Sequence, residues 1–223
     1  MKIIAVSDLH GDQIPAADLP NGDVLVIAGD VLPDDYTPEG RDQKDSSRVL
    51  RQGWWFNDIW IPYLVELRTK FPSVVWIAGN HDFYFQGYLR DSVEDQMPNG
   101  VHYLRESNVV IDGIKFYGAP WNMTRGWAFA IDEREYAQKL GEMPTDVDVL
   151  ITHGPPKVDG MPGVHWTSQI LGDWIELTPM KAVICGHIHE AYGEYAIGDT
   201  PIYVVSSKNR NYELVNPPLE IEI

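Results

Sequence analysis

Ala182-Val183-Ile184-Cys185-Gly186-His187-Ile188-His189 decides how this chain is read. Its first four residues form a short apolar run, the pattern of a strand buried on both faces. Gly186 breaks the run, and two imidazoles follow with one residue between them. Histidines two apart at a strand end can deliver two nitrogens to one small volume, and neutral imidazole suits zinc, manganese and iron. A pair of surface histidines would spell the same stretch. It gains weight only if other strands end in the same way.

Four other runs do. Lys2 to Ser7 leads into Asp8-Leu9-His10-Gly11-Asp12, and Val24 to Ala28 leads into Gly29-Asp30. Ser73 to Ala78 delivers Gly79-Asn80-His81-Asp82, and Val147 to Thr152 delivers His153-Gly154-Pro155-Pro156. Any one of these ends is what an Asp- and Gly-containing turn looks like. Five together place carboxylates, an amide and imidazoles where α/β sheets bind ligands, outside the carboxyl ends of the strands. Of the seven histidines, His102 and His165 fall outside the set, and both read as structural.

The rest of the chain reads around these ends. Val31 to Asp45 is rich in Pro, Asp and Gly and reads as an exposed loop, with Asp34, Asp35 and Asp42 solvated. Ser46 to Phe71 is expected to be helical in two pieces, capped by Ser46 or Ser47 and interrupted or restarted at Pro62. Its Trp54, Trp55, Trp60, Leu64 and Leu67 form a broad apolar face that reads as core. Phe83-Tyr84-Phe85 opens a helix running to about Gln96, and the triplet reads as core packing ahead of a pocket wall. Asp112-Gly113 between apolar runs is a hairpin signal. A loop with Asn122, Arg125 and Trp127 follows, then helices at Asp132 to Leu140 and near Thr167 to Leu177, and β-structure to the end.

At 223 residues, 44% hydrophobic, the expectation is one domain spanning residues 1–223. The single cysteine excludes an internal disulfide framework and fits a reducing compartment. No apolar run has the length of a membrane helix, and the N-terminal residues lack the pattern of a signal peptide, so a cytoplasmic protein without a membrane partner is expected. The net charge of −16 disfavours an extended nucleic-acid footprint.

The order Asp-x-His, Gly-Asp, Gly-Asn-His-Asp, His, Gly-His-x-His resembles the signature of calcineurin-like metallophosphoesterases. Tyr117-Gly118-Ala119-Pro120-Trp121, Thr152-His153-Gly154-Pro155-Pro156, Gly186 to Gly193 and Asn216-Pro217-Pro218 are similar to the metallophosphoesterase domain-containing (MPPED) branch. The resemblance implies a four-layer α/β/β/α sandwich with two mixed sheets. It implies two divalent ions, manganese first, with iron, zinc or magnesium as alternatives. Asp8, His10 and His189 would hold one ion, Asp30 would bridge, and Asn80, His153 and His187 would hold the other. Two ions carry plus four; Asp8, Asp30 and a bridging hydroxide bring the sum to about plus one, which suits the single charge of a phosphodiester.

The resemblance further implies His81 as the acid that protonates the leaving group. Related protein phosphatases carry an acidic residue three after the bridging aspartate, followed by arginine, and another arginine just before Gly-Asn-His. Pro33, Asp34 and Ala78 stand there in this chain. The bidentate arginine clamp of a monoester enzyme is therefore absent from both places. Arg125 is the substitute considered for reaching the phosphate beside Asn80 and His81. The expected activity is a phosphodiesterase acting on small nucleotides, with 2′,3′- and 3′,5′-cyclic ones among the candidates. A nuclease of the same fold and a nucleotide-binding scaffold with weak catalysis are the alternatives; the oligomeric state is left open.

Overall fold

The computed structural model describes residues 1–36, 47–87 and 93–223. Strands β1 (Lys2–Val6), β2 (Val24–Ala28) and β3 (Ser73–Ile77) run parallel, and β3 pairs in parallel with β4 (Val101–Tyr103). The second sheet starts with β5 (Ser107–Ile111) and β6 (Ile114–Ala119), joined through Asp112-Gly113. Both turn residues take positive φ, 49° and 82°, as a two-residue hairpin requires. Strands β7 (Val149–Thr152), β8 (Ala182–Cys185), β9 (Gly193–Ile197) and β10 (Thr200–Val204) complete it in the order β5-β6-β7-β8-β10-β9. The closing strand β11 (Leu219–Glu222) returns to the first sheet, antiparallel to β1, giving β11-β1-β2-β3-β4.

Side-chain alternation sorts the residues into layers. From the first sheet, Ile3, Ala5, Val24, Val26, Val75 and Ile77 meet Phe116, Val149, Ile151, Ala182 and Ile184 of the second. The residues between them along each strand face outward onto helices. Ile4, Val6, Leu25, Ile27 and Trp76 pack under Trp55, Phe56, Trp60 and Leu64. On the far side Tyr117, Leu150, Val183 and Cys185 lie under Tyr136, Leu140, Leu171 and Ile175. The result is the expected four-layer α/β/β/α sandwich with two mixed sheets. Strands covered on both faces have no polar side to show, which is why they read as unbroken apolar runs.

The helices follow local rules. Helix α1 (Arg48–Trp55) is capped by the Ser47 side chain, which accepts from Leu50 N at 3.3 Å. A π-helical turn, Phe56–Trp60, then leads into α2 (Ile61–Leu67), with Pro62 in its first turn, where its missing N–H is harmless. The expected interruption is this wide turn, with no chain break. Helix α3 (Phe83–Gln86) follows the third strand end, and Phe85 is buried against Trp76 at 5.2 Å between ring centres. Helix α4 (Glu133–Glu142) is capped by Asp132 and α5 (Gln169–Leu177) by Ser168. The Ser46 cap, Asp42 and the continuation of α3 toward Gln96 through residues 88–92 lie outside the described residues. No helix among the described residues is long and apolar enough to cross a membrane.

Candidate metal centre

β1, β2, β3, β7 and β8 end at one edge, and their last residues lead into turns that face one another. Asp8 N donates to Gly29 O at 3.0 Å, His10 N to Asp30 O at 2.9 Å, and Gly186 N to His153 O at 3.0 Å. Asp8, His10, Asp30 and His187 all sit at positive φ, 56°, 46°, 52° and 71°. The glycines beside them are there for space. A methyl on Gly186 would lie 2.6 Å from Asp8 Oδ2, and one on Gly79 would run into the Asp30 carboxylate and lie 2.7 Å from His153 Cε1.

The side chains converge. His10 Nε2 is 3.3 Å from His189 Nε2, which is 3.6 Å from Asp8 Oδ1. Asp30 Oδ2 is 3.2 Å from His153 Nε2 and 3.8 Å from His10 Nε2. Asn80 Oδ1 lies 2.8 Å from His153 Nε2. Ligand atoms of Asp8, His10 and His189 fall within 4.8 Å of one another, as do those of Asp8, Asp30 and His153. His187 stands one step back, its ring 5.1 Å from that of His153 and its Nε2 2.8 Å from Thr124 Oγ1.

Neighbours fix these groups. Asp8 is fully buried and accepts from Ser7 Oγ at 2.5 Å, Ser206 Oγ at 2.6 Å and His187 N at 3.0 Å. His153 Nδ1 lies 2.9 Å from Ala28 O, and His189 Nδ1 lies 2.9 Å from Asn209 O. A carbonyl can only accept, so Nδ1 carries a proton in both rings and Nε2 is the nitrogen that could bind a metal. Burial pushes Asp8 and Asp30 up as the largest single effect, yet the surrounding imidazoles together outweigh it, His189 foremost for Asp8 and His153 for Asp30, and hold both carboxylates far below the usual range. Burial lowers His153, but Asp30, through its charge and its hydrogen bond, together with Asp8 and the Ala28 carbonyl lifts it to about 9. Burial takes His10 down to about 4 and His187 to about 3, so both are neutral at pH 7.

His81 stands at the rim, with Asp34 Oδ2 3.1 Å from its Nδ1. The expectation that Asp34 is merely solvated is therefore corrected. The turn after β2 brings it back over the third strand end. Burial lowers His81, and the Asp34 bond with nearby carboxylates raises it on balance. Asp82 does not touch that ring: it accepts from Gly79 N at 2.7 Å, Leu32 N at 2.8 Å and Val31 N at 3.1 Å, locking two strand-end turns together. Burial and then Asp30 push it up to about 7, against the pull of those three donors.

A cleft of about 320 Å³ opens over these groups, lined by Asp30, Asn80, His81, His187 and His189 together with Thr124, Trp127, Trp166, Arg210 and Tyr212. The last five were not singled out as site residues from the sequence. Arg125 lines a different cavity, with Met123, Ile131 and Glu135. His102 lies on β4, and His165 packs on Trp166 at 4.6 Å.

The family model described as calcineurin-like phosphoesterase matches residues 1–191. This chain belongs to the calcineurin-like phosphoesterase family. It is 31% identical over 253 residues to human metallophosphoesterase domain-containing protein 1, covering 100% of this chain and 71% of that protein. A UPF0046 protein of Caenorhabditis elegans is 29% identical over 239 residues, covering 98% of this chain and 74% of the relative. The crystal structure of TT1561 of Thermus thermophilus shares the fold, with a TM-score of 0.62 at 16% identity, covering 91% of this chain and 88% of that one.

Calcineurin-like phosphoesterases use a binuclear divalent metal centre, and the donors here fit one. His10 Nε2 and His189 Nε2 stand 3.3 Å apart beside Asp8, close enough for one ion to share them. Two buried carboxylates with only imidazoles as counter-charges among the described residues call for cations, which would displace the proton on His153. Cys185 offers no thiolate: burial raises it, and its Sγ faces Tyr203 O at 3.4 Å.

Proposed function

We propose that this family member is a phosphodiesterase that hydrolyses small nucleotides, cyclic ones included, at a two-metal centre. Asp8, His10 and His189 would hold one ion, Asn80, His153 and His187 the other, with Asp30 shared between them. The observation that carries the reading is the meeting of five strand ends around buried Asp8 and Asp30, with His81 and Asp34 at the rim. Manganese is the metal favoured by a mixed carboxylate, amide and imidazole set without thiolate, with iron, zinc and magnesium as alternatives. Bound divalent ions supply a nucleophile at neutral pH and stabilise charge on phosphoryl oxygens.

The chain's own residues do the rest. Asp34 accepts Nδ1–H and favours the protonated His81 ring, whose Nε2–H then gives its proton to the departing oxygen and leaves a neutral imidazole with Nδ1–H still on Asp34. Thr124 fixes His187, and Asn209 and Ala28 fix His189 and His153. A cleft of about 320 Å³ suits a mononucleotide-sized ester, and the −16 charge disfavours a long polyanion. The test is hydrolysis of bis-(p-nitrophenyl) phosphate and of 2′,3′- and 3′,5′-cyclic nucleotides by manganese-loaded protein. Turnover should vanish in Asp30→Ala and His153→Ala. A fully loaded protein that turns over none of these diesters defeats the proposal.

A further inference from the structure

The segment from Ser206 to Asn216 borders the cleft, and only its last residue, Asn216, belongs to a motif read from the sequence. Its base is pinned: Ser207 N donates to Ser7 O at 2.9 Å, Asn216 Nδ2 to Ser206 O at 2.8 Å, and Lys208 pairs with Asp12 at 2.8 Å. Asn209 builds the tip. Its Oδ1 accepts from Asn211 N at 2.9 Å and Glu213 N at 3.1 Å, and its carbonyl takes Tyr212 N and the His189 ring, both at 2.9 Å. Tyr212 is held at φ 63°, its ring 4.9 Å from His10 and 5.0 Å from His189. A bulky residue kept in that conformation against candidate ligands marks a turn whose shape is fixed for a purpose.

Arg210 lies on this tip. It is exposed, and it is the one Arg or Lys lining the cleft among the described residues. Its guanidinium has no hydrogen bond or ion pair among those residues, in a chain with 33 acidic side chains. Glu190 lines the same cleft, yet no bond joins it to Arg210, and with the divalent ions of the proposed centre in place such a fork of donors would have a ready ligand in phosphoryl oxygens.

We propose that Arg210 is the cleft's anion clamp, presented by the Asn209 turn and binding the non-bridging oxygens of a phosphate ester. The proposal rests on the phosphoesterase reading of the same site. It locates the arginine function missing at Pro33-Asp34 and Ala78 on the opposite end of the chain.

The experiment compares manganese-loaded wild type, Arg210→Ala and Arg210→Lys. Three readouts are taken: metal content, calorimetric binding of inorganic phosphate, and KM and kcat on bis-(p-nitrophenyl) phosphate. Losing a charge-assisted hydrogen bond predicts phosphate binding and KM at least tenfold weaker in Arg210→Ala. Metal content and melting temperature should stay unchanged, and lysine should restore only part because it lacks the fork. Phosphate affinity and KM unchanged in a folded, loaded Arg210→Ala that still hydrolyses the diester overturns the clamp alone. Weaker phosphate binding in Arg210→Ala, with a wild type that hydrolyses no ester, upholds the clamp and defeats the phosphoesterase reading.

Discussion

Ser206→Ala removes one hydroxyl from the most buried carboxylate of the centre. Ser206 is fully buried, and its Oγ donates to Asp8 Oδ2 at 2.6 Å. Ser206 and Ser7 form a parallel bridge between the two sheets, so each sheet sends one hydroxyl to the same oxygen. The substitution deletes one oxygen atom and leaves little void. The loss is therefore that of a hydrogen bond to a charge, about 1.5–3 kcal/mol. A chain of this size loses about 2–4 °C of melting temperature per kcal/mol, which gives a fall of about 3–12 °C in metal-free protein. Groups that orient ligands matter to metal affinity by about 10–100-fold. Differential scanning calorimetry in chelator and manganese titration, run on wild type and Ser206→Ala, read both effects. A variant that melts with wild type and binds manganese equally would refute the claim that these hydroxyls hold Asp8 in place.

Asp34→Asn should lower kcat on esters with alkoxide leaving groups by about tenfold or more, within the range of general acid catalysis, and much less on p-nitrophenyl esters, whose leaving group needs no proton; equal losses on both would rule out its action through His81. Gly79→Ala should cut bound metal from about two ions per chain toward one, because the added methyl displaces the Asp30 carboxylate; elemental analysis of the purified variant decides. Glu106 binds Trp121 Nε1 at 2.9 Å and Lys139 Nζ at 2.7 Å. Burial raises it, but those partners win and hold it below the ordinary glutamate value. Its contribution is then present above the unfolded-state value of about 4.3 and lost as pH falls through the folded one. Glu106→Gln should accordingly be less stable than wild type at pH 7 and converge with it in acid, once pH has fallen below the folded value, as followed by urea melts; parallel curves would contradict this.

The strand ends were legible because burial on both faces leaves an apolar run and the glycine that follows leaves room for a ligand. Caps at Ser47 and Asp132 and the Asp112-Gly113 hairpin were legible too, since each is decided within a few residues. Contacts made by loops were not. Asp34 reaches His81 across 47 residues, through the path of the turn after β2, and no spacing rule carries that. Asn209 meets His189 only because the last strands fold back over the cleft. Arg125 and Arg210 both lie in polar, turn-rich stretches within two residues of an aromatic, and only the three-dimensional path separates the one beside another cavity from the one that lines the cleft. The wide turn at Phe56–Trp60 depends on how the tryptophans pack beneath it, with Trp60 against Trp76 at 5.7 Å.

Asp8, His10, Asp30 and His187 share a backbone conformation that L-residues enter at about 1 kcal/mol or more apiece. Glycine at any of them would relieve that tension while discarding a donor. Breeding this chain for heat resistance alone, without a screen for turnover, would therefore be expected to harvest such replacements first and to return robust proteins that do nothing.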